Sequence, residues 1–226
     1  MPKHLKKEQS MNCDKKDLLL YAVTDRAWLN GETLCSQVEK AIKGGATFIQ
    51  LRCYLVILLL NLEEEVTKFI YILYHLKNFI KIGLTEKQIA KEIDADGVHV
   101  GQSDMEAGNV RKILGDDKII GVSAQTVEQA LLAQKHGADY LGVGAVFKTG
   151  SKDDADDVSH DELQKICEAV DIPVIAIGGI SSKNVTELKG RGIVGIAVIS
   201  AIFAQPDITK ATAELKALTE KTVAND

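Results

Sequence analysis

The sequence predicts an α/β fold, a closed (β/α)8 TIM barrel. Short, nearly continuous apolar segments alternate with single helix-patterned segments, which suits a parallel sheet covered on both faces. With a strand expected near residues 79–83, eight such units of roughly 25 residues each fit the chain, a size that favours a barrel over an open sheet. Residues able to do chemistry fall where strands end: Thr24, Gln50, Arg52, Asp104, Ser123, Gly179, Ser200 and the loop of residues 149–152. In a parallel barrel those ends share one face.

The elements follow in order. Residues 18–24 are an apolar strand that ends in Thr24 and Asp25. Residues 32–43 have helical spacing through Leu34, Val38, Ala41 and Ile42, and stop at Gly44-Gly45. Further strands are expected at 47–52, 97–101, 119–123, 139–144, 172–177 and 194–200. Helices are expected at 107–114, 126–136, 161–170, 182–190 and 208–218. Thr126 with Gln129 and Ser159 with Glu162 have capping-box spacing. Residues 1–16 read as a polar tail and 17–226 as a single barrel domain, with Met11 a second candidate start.

Composition narrows the function. With 27 basic and 32 acidic residues the net charge is −5, which argues against a general nucleic-acid or anionic-membrane binder. Cys13, Cys35, Cys53 and Cys167 make no paired or metal-finger spacing, so a reduced, cytoplasmic setting is expected. The first ten residues lack the apolar core of a secretory signal. The longest apolar run, residues 53–60, is far short of the roughly 20 residues that span a bilayer.

The most informative stretch runs from Gly142 through Phe147, Lys148, Thr149, Gly150, Ser151 and Lys152 to Asp154. A strand passes into a loop of small hydroxyl residues, glycine and lysine. Small residues let backbone N–H groups approach a phosphate, hydroxyls donate to it, and lysine adds charge. Gly178-Gly179 and Ile199-Ser200 end two later strands in the same manner, so a ligand with more than one phosphate is expected. Each feature has a plainer reading: a solvated turn for 149–152, a tight barrel turn for Gly178-Gly179, and a buried strand end for Ile199-Ser200. Likewise Asp104 suits a helix N-cap, and Gln50 and Arg52 suit pairing with neighbouring carboxylates. His99, mid-strand among apolar residues, reads as core. Phe147 at the third glycine position excludes a dinucleotide fingerprint.

Seven pieces, in order across nearly the whole chain, resemble the thiamine phosphate synthase family. They are Tyr21-Ala22-Val23-Thr24-Asp25, Gln50-Leu51-Arg52, residues 96–104, residues 121–126, residues 142–154, Ile177-Gly178-Gly179-Ile180-Ser181 and residues 198–202. The resemblance implies a transferase of thiamine biosynthesis. It would join 4-amino-2-methyl-5-hydroxymethylpyrimidine pyrophosphate to 4-methyl-5-(2-hydroxyethyl)thiazole phosphate, releasing pyrophosphate with the help of Mg²⁺. It further implies that Gln50, Arg52 and Lys152 hold the pyrophosphate, that Ser123 contacts the pyrimidine, and that Asp104 binds the metal. Thr149, Gly150, Ser151, Gly179, Ile199 and Ser200 would hold the thiazole phosphate. The implied partners are small phosphate substrates, and a homo-oligomer is compatible with the sequence. A thiazole-isomerising paralogue and a non-catalytic phosphate-binding barrel are the competing readings.

One segment departs from the family. Where the family has a lysine two residues after Arg52, this chain has Tyr54, and its Asn-Asp pair falls on Leu84 and Thr85. From residue 53 to 89 there is no alanine and no aspartate, while five of the ten Phe and Tyr residues lie there. The distance from Gln50 to Asp104 nevertheless stays near the family's. Two compensating frameshifts, replacing roughly residues 53–88, account for kept length with foreign composition. Divergence of a paralogue is the other account. Helical spacing from Leu62 to Ile80, with Asn61 as a candidate cap, and the apolar run 54–60 are what the segment offers in place of a polar loop.

Overall fold

The computed structural model describes residues 13–53, 56–61, 95–101, 107–148 and 157–224. The elements in order are β1 (Leu20–Val23), α1 (Leu34–Lys43), β2 (Phe48–Cys53), β3 (Val56–Asn61), β4 (Gly97–Val100), α2 (Ala107–Leu114), β5 (Ile119–Ala124) and α3 (Val127–Lys135). There follow β6 (Tyr140–Val143), α4 (His160–Ala169), β7 (Val174–Ile177), a 3-10 turn (Val185–Leu188), β8 (Gly195–Val198), α5 (Ser200–Phe203) and α6 (Ile208–Val223). Among the described residues, no helix is long and apolar enough to cross a membrane.

The strands β4, β5, β6, β7, β8, β1 and β2 lie side by side, all parallel, in a curled TIM-like sheet. Between β2 and β4 sits β3, which runs antiparallel to both. Its register pairs Cys53 with Val56 and Phe48 with Asn61 on one side, and Leu58 with Val98 on the other. This differs from the expected parallel third strand near residues 79–83, which lies outside the described residues. The apolar run expected to stand in a loop position is the strand instead. The reason is physical: a run of β-branched and leucine residues has strand propensity and suits a solvated loop poorly, and its backbone pairs with both β2 and β4. Asn61, the candidate helix cap, is the last residue of this strand.

Inside and outside separate by the two-residue period of a strand. Tyr21, Val23, Phe48, Ile119, Tyr140, Ile175 and Ala197 pack together on the inner face. Their neighbours Ala22, Ile49, Ile120, Leu141, Ala176 and Ile196 face the helices in a larger core. The rings of Tyr21, Phe48 and Tyr140 meet edge to face, with centroids 4.9–6.4 Å apart.

Helix starts follow their caps. Thr33, Thr126, Ser159 and Asp207 each accept a hydrogen bond from the backbone N–H of the third residue of the helix. At α3 the Gln129 side chain accepts from Gln125 N–H, one residue before the cap expected from the motif. Two helices differ from expectation. Residues 182–190 form only a 3-10 turn, and α6 runs to Val223 rather than to 218.

Candidate active site

Parallel pairing brings the C-terminal ends of seven strands to one face, and the described site residues gather there. Gln50 lies on β2 opposite Val23 of β1, and Ser123 lies on β5 opposite Gly142 of β6. Gly179 follows β7, and Ile199 and Ser200 follow β8. Asp104, Thr149, Gly150, Ser151 and Lys152 lie outside the described residues, as do Tyr54, Leu84 and Thr85.

The β1 and β2 ends are locked together. Thr24 N–H donates to Gln50 O at 3.0 Å, and Thr24 Oγ1 accepts from Arg52 N–H at 3.0 Å. Fully buried, Thr24 fixes backbone rather than facing a ligand. Arg52 reaches outward and sits 3.7 Å from Asp25 Oδ2, with its side chain 45% exposed. An exposed pair of this kind is worth under about 1 kcal/mol, so an incoming anion can recruit the guanidinium at little cost. Gln50 turns inward: it is 6% exposed and its Oε1 accepts from Tyr21 Oη at 2.9 Å.

The loops after β6 and β7 are tied to each other. Val146 N–H donates to Ile177 O at 3.0 Å and Phe147 N–H to Gly178 O at 3.2 Å. This contact explains the glycine pair. Gly178 and Gly179 have φ of +98° and +64°. A Cβ on Gly178 would lie 2.5 Å from Ala145 Cβ, and one on Gly179 would lie 2.7 Å from the carbonyl oxygens of Phe147 and Lys148. Only glycine meets both demands. Asn184, which sequence reasoning missed, braces this turn. Its Oδ1 accepts from Ser181 N–H at 2.8 Å and its Nδ2 donates to Gly179 O at 2.9 Å. The signal was present as Ser181 followed by Asn184, a side-chain-closed turn. After β8, Ser200 opens the short α5 and is exposed. First-turn N–H groups of a helix have no intrahelical acceptor.

His99, expected as core, lines the interior but is hydrogen-bonded at both ring nitrogens. Nδ1 is 2.9 Å from Tyr140 Oη and Nε2 is 3.0 Å from Ser123 Oγ. Space for its ring comes from two glycines. A Cβ on Gly121 would meet Tyr140 Cζ at 2.2 Å and His99 Nδ1 at 2.5 Å, and one on Gly142 would lie 3.1 Å from His99 Cε1. Burial holds the His99 pKa down, from 6.5 to about 4, so the imidazole is neutral near pH 7. Burial pushes the Tyr21 and Tyr140 hydroxyls up, so both keep their protons. The cluster of His99, Tyr21 and Tyr140 is therefore polar but uncharged near pH 7.

Among the described residues, no group of three His, Cys, Asp or Glu gathers to hold a metal. Asp25, the carboxylate beside Arg52, is committed to that pair and to Ala27 N–H. The described residues alone thus do not make a Mg²⁺ site.

A family-level sequence profile described as thiamine monophosphate synthase matches residues 20–202. The chain belongs to this family. Among its relatives, the thiamine-phosphate synthase of Clostridium beijerinckii is 49% identical over 213 residues, covering 89% of this chain and 96% of the relative. That of Clostridium tetani is 48% identical over 201 residues, covering 88% and 94%. Among solved structures, thiamine phosphate pyrophosphorylase from Pyrococcus furiosus superposes with a TM-score of 0.73 at 36% identity, covering 92% of this chain and 98% of that one. Family membership extends across the strand ends that carry Gln50, Arg52, Ser123, Gly179, Ile199 and Ser200.

Proposed function

We propose that this chain is a thiamine phosphate synthase whose thiazole phosphate half is intact and whose pyrophosphate half is weakened. The reading is supported most by one observation. Gln50, Arg52, Ser123, the Gly178-Gly179 turn and Ser200 end separate strands of one parallel sheet, in a chain of the thiamine monophosphate synthase family.

The reaction breaks the bond between the pyrimidine methylene and pyrophosphate oxygen. Pyrophosphate leaves with the electron pair, and the thiazole nitrogen forms the new bond to that carbon. In this reading Ser123 contacts the pyrimidine, and Gln50, Arg52 and Lys152 hold the pyrophosphate, the two cations neutralising charge growing on the leaving oxygens. The residues 149–151, Gly179, Ile199 and Ser200 hold the thiazole phosphate, so that the nucleophile is in position before ionisation. Mg²⁺, bound by Asp104 and by substrate phosphate oxygens, would add positive charge at the leaving group. One carboxylate with phosphate oxygens is a minimal donor set for that cation. Both site halves belong to one domain, residues 17–226, in this reading.

The ancestral architecture was a regular barrel of eight parallel strands, and the segment 53–88 replaced its third unit. The antiparallel β3 between β2 and β4 supports this reading. The gene decides its origin. Compensating frameshifts require an alternative frame that encodes a lysine after Arg52 and an Asn-Asp pair near position 84; absence of both leaves divergence.

The thiazole half is tested by calorimetry with the thiazole phosphate. Binding is expected in the chain as it stands, and Ser200→Asp, which sets like charge at the anion, should weaken it at least tenfold. No binding by well-folded protein would remove this assignment.

A further inference from the structure

A chain of hydrogen bonds crosses the interior from Gln50 to Ser123. Tyr21 Oη donates to Gln50 Oε1 at 2.9 Å, and Tyr140 Oη donates to Tyr21 Oη at 3.2 Å. His99 joins Tyr140 to Ser123 through its two ring nitrogens, at 2.9 and 3.0 Å. Tyr21, Tyr140 and Gln50 are buried, while His99 and Ser123 are partly exposed.

Proton counting gives this chain a direction. A hydroxyl carries one proton. That of Tyr21 is on Gln50, so the Tyr21 oxygen receives from Tyr140. Tyr140 has then spent its proton and receives from His99 Nδ1–H. A neutral imidazole has one N–H, so His99 Nε2 is bare and receives from Ser123 Oγ–H. At one end the Ser123 oxygen, its proton committed, acts towards any other group as an acceptor. At the other end the Gln50 amide turns its Nε2 donors away from Tyr21. Reversal would require every proton in the series to turn and Gln50 to flip, so the polarity belongs to the whole chain of groups.

We propose that Tyr21, His99 and Tyr140 are positioning residues that set the hydrogen-bonding polarity of the site, presenting Ser123 as an acceptor to the pyrimidine and Gln50 as a donor to the pyrophosphate. The consequence is selectivity. Ser123 then favours a ring with an exocyclic amino group at its contact and disfavours one with a carbonyl there. This rests on the reading of Ser123 as a pyrimidine contact.

Two measurements separate the proposal from that reading. In ¹⁵N-histidine NMR at pH 7, with His99 assigned by its loss in His99→Gln, the Nδ1–H tautomer is expected. In Tyr140→Phe, Nδ1 loses its acceptor and the tautomer should move to Nε2–H, now donating to Ser123. By calorimetry, 4-amino-2-methyl-5-hydroxymethylpyrimidine should bind at least about tenfold tighter than its 4-oxo analogue, a difference of about 1.4 kcal/mol. Tyr140→Phe should bring that ratio to near unity or invert it. Tyr21→Phe, which cuts the series one link further on, provides a second variant should Tyr140→Phe fail to fold. An Nε2–H tautomer in the unmodified protein, or folded variants with tautomer and ratio unchanged, would overturn the proposal. The expected tautomer with no binding of either pyrimidine would instead remove the pyrimidine role of Ser123.

Discussion

His99 couples the site to stability as well as to polarity. Its pKa is about 4 in the fold against 6.5 as the ordinary value. Between those values the unfolded chain binds the proton more readily than the folded one. The stability present above pH 6.5 is therefore lost as pH falls towards 4. The ring keeps partial exposure, so the loss is at most about 3 kcal/mol. Its immediate hydrogen-bonding neighbours, Tyr140 and Ser123, stay neutral over that range. Urea midpoints measured at pH 7 and pH 4.5 should fall more for the unmodified protein than for His99→Gln. Equal falls would show that the ring is not the group responsible. The residue also illustrates what a sequence hides. Val98, His99 and Val100 read as one apolar run, yet Val98 and Val100 face the helices and His99 alone faces inward. The period was visible; that the inner face was a polar relay depended on Tyr21, Gly121, Ser123, Tyr140 and Gly142, which only the curled sheet brings together.

Most elements were legible because apolar period and cap agreed. Strands β1, β2 and β4 to β8 and helix α2 fall where patterning put them, to within a few residues at the ends. The misses have identifiable causes. Helix α6 continues past the expected end at 218 to Val223, and Thr212, Thr219 and Thr222 lie on its buried face. Their hydroxyls donate back to the carbonyls of Ile208, Leu215 and Leu218 at 2.7–2.8 Å, so each is buried without an unmet donor. Residues 182–190 lost their helix to the Ser181–Asn184 turn on one side and to Gly190 and Gly192, both at positive φ, on the other. At the opposite end of the strands, Arg111 of α2 joins two loops. It donates to the carbonyls of Gly115, Lys118 and Gly137, and to Asp139 Oδ2 at 2.6 Å. Asp139 also accepts from Ile120 N–H at 2.7 Å. With side chains only 18% and 9% exposed, this pair should matter. Arg111→Met should cost about 3 kcal/mol, because it strips a buried carboxylate of its cation. Lys40→Met, which breaks the exposed Lys40–Glu32 pair of the same 2.6 Å length, should shift the thermal midpoint far less. Equal shifts would mean that burial does not set the difference.

For the molecule as a whole, seven parallel strands among the described residues carry the proposed site. The resemblance proposed the site residues, and the sheet explains why those on described strands share a face. The region between β2 and β4 was not legible in the same way, since its composition is foreign to the rest of the chain and its apolar run suits strand and helix alike. An antiparallel β3 there also changes what a repair must do. Point changes at Tyr54, Leu84 and Thr85 would add the missing side chains but leave β3 antiparallel between β2 and β4, where the proposed fold has a parallel unit. Replacing residues 53–88 with the matching segment of the Clostridium beijerinckii relative restores both. On the proposed reading the absent lysine and carboxylate each correspond to a charge-assisted interaction of about 1.5–3 kcal/mol, so together they predict a deficit of about a hundredfold or more. The decisive measurement is kcat/KM for Mg²⁺-dependent pyrophosphate release by the chain as it stands and by this chimera, with folding of both checked by circular dichroism. The account predicts a slow native chain and a chimera at least about a hundredfold faster. A native chain as fast as the chimera, or a folded chimera with no gain, would contradict it.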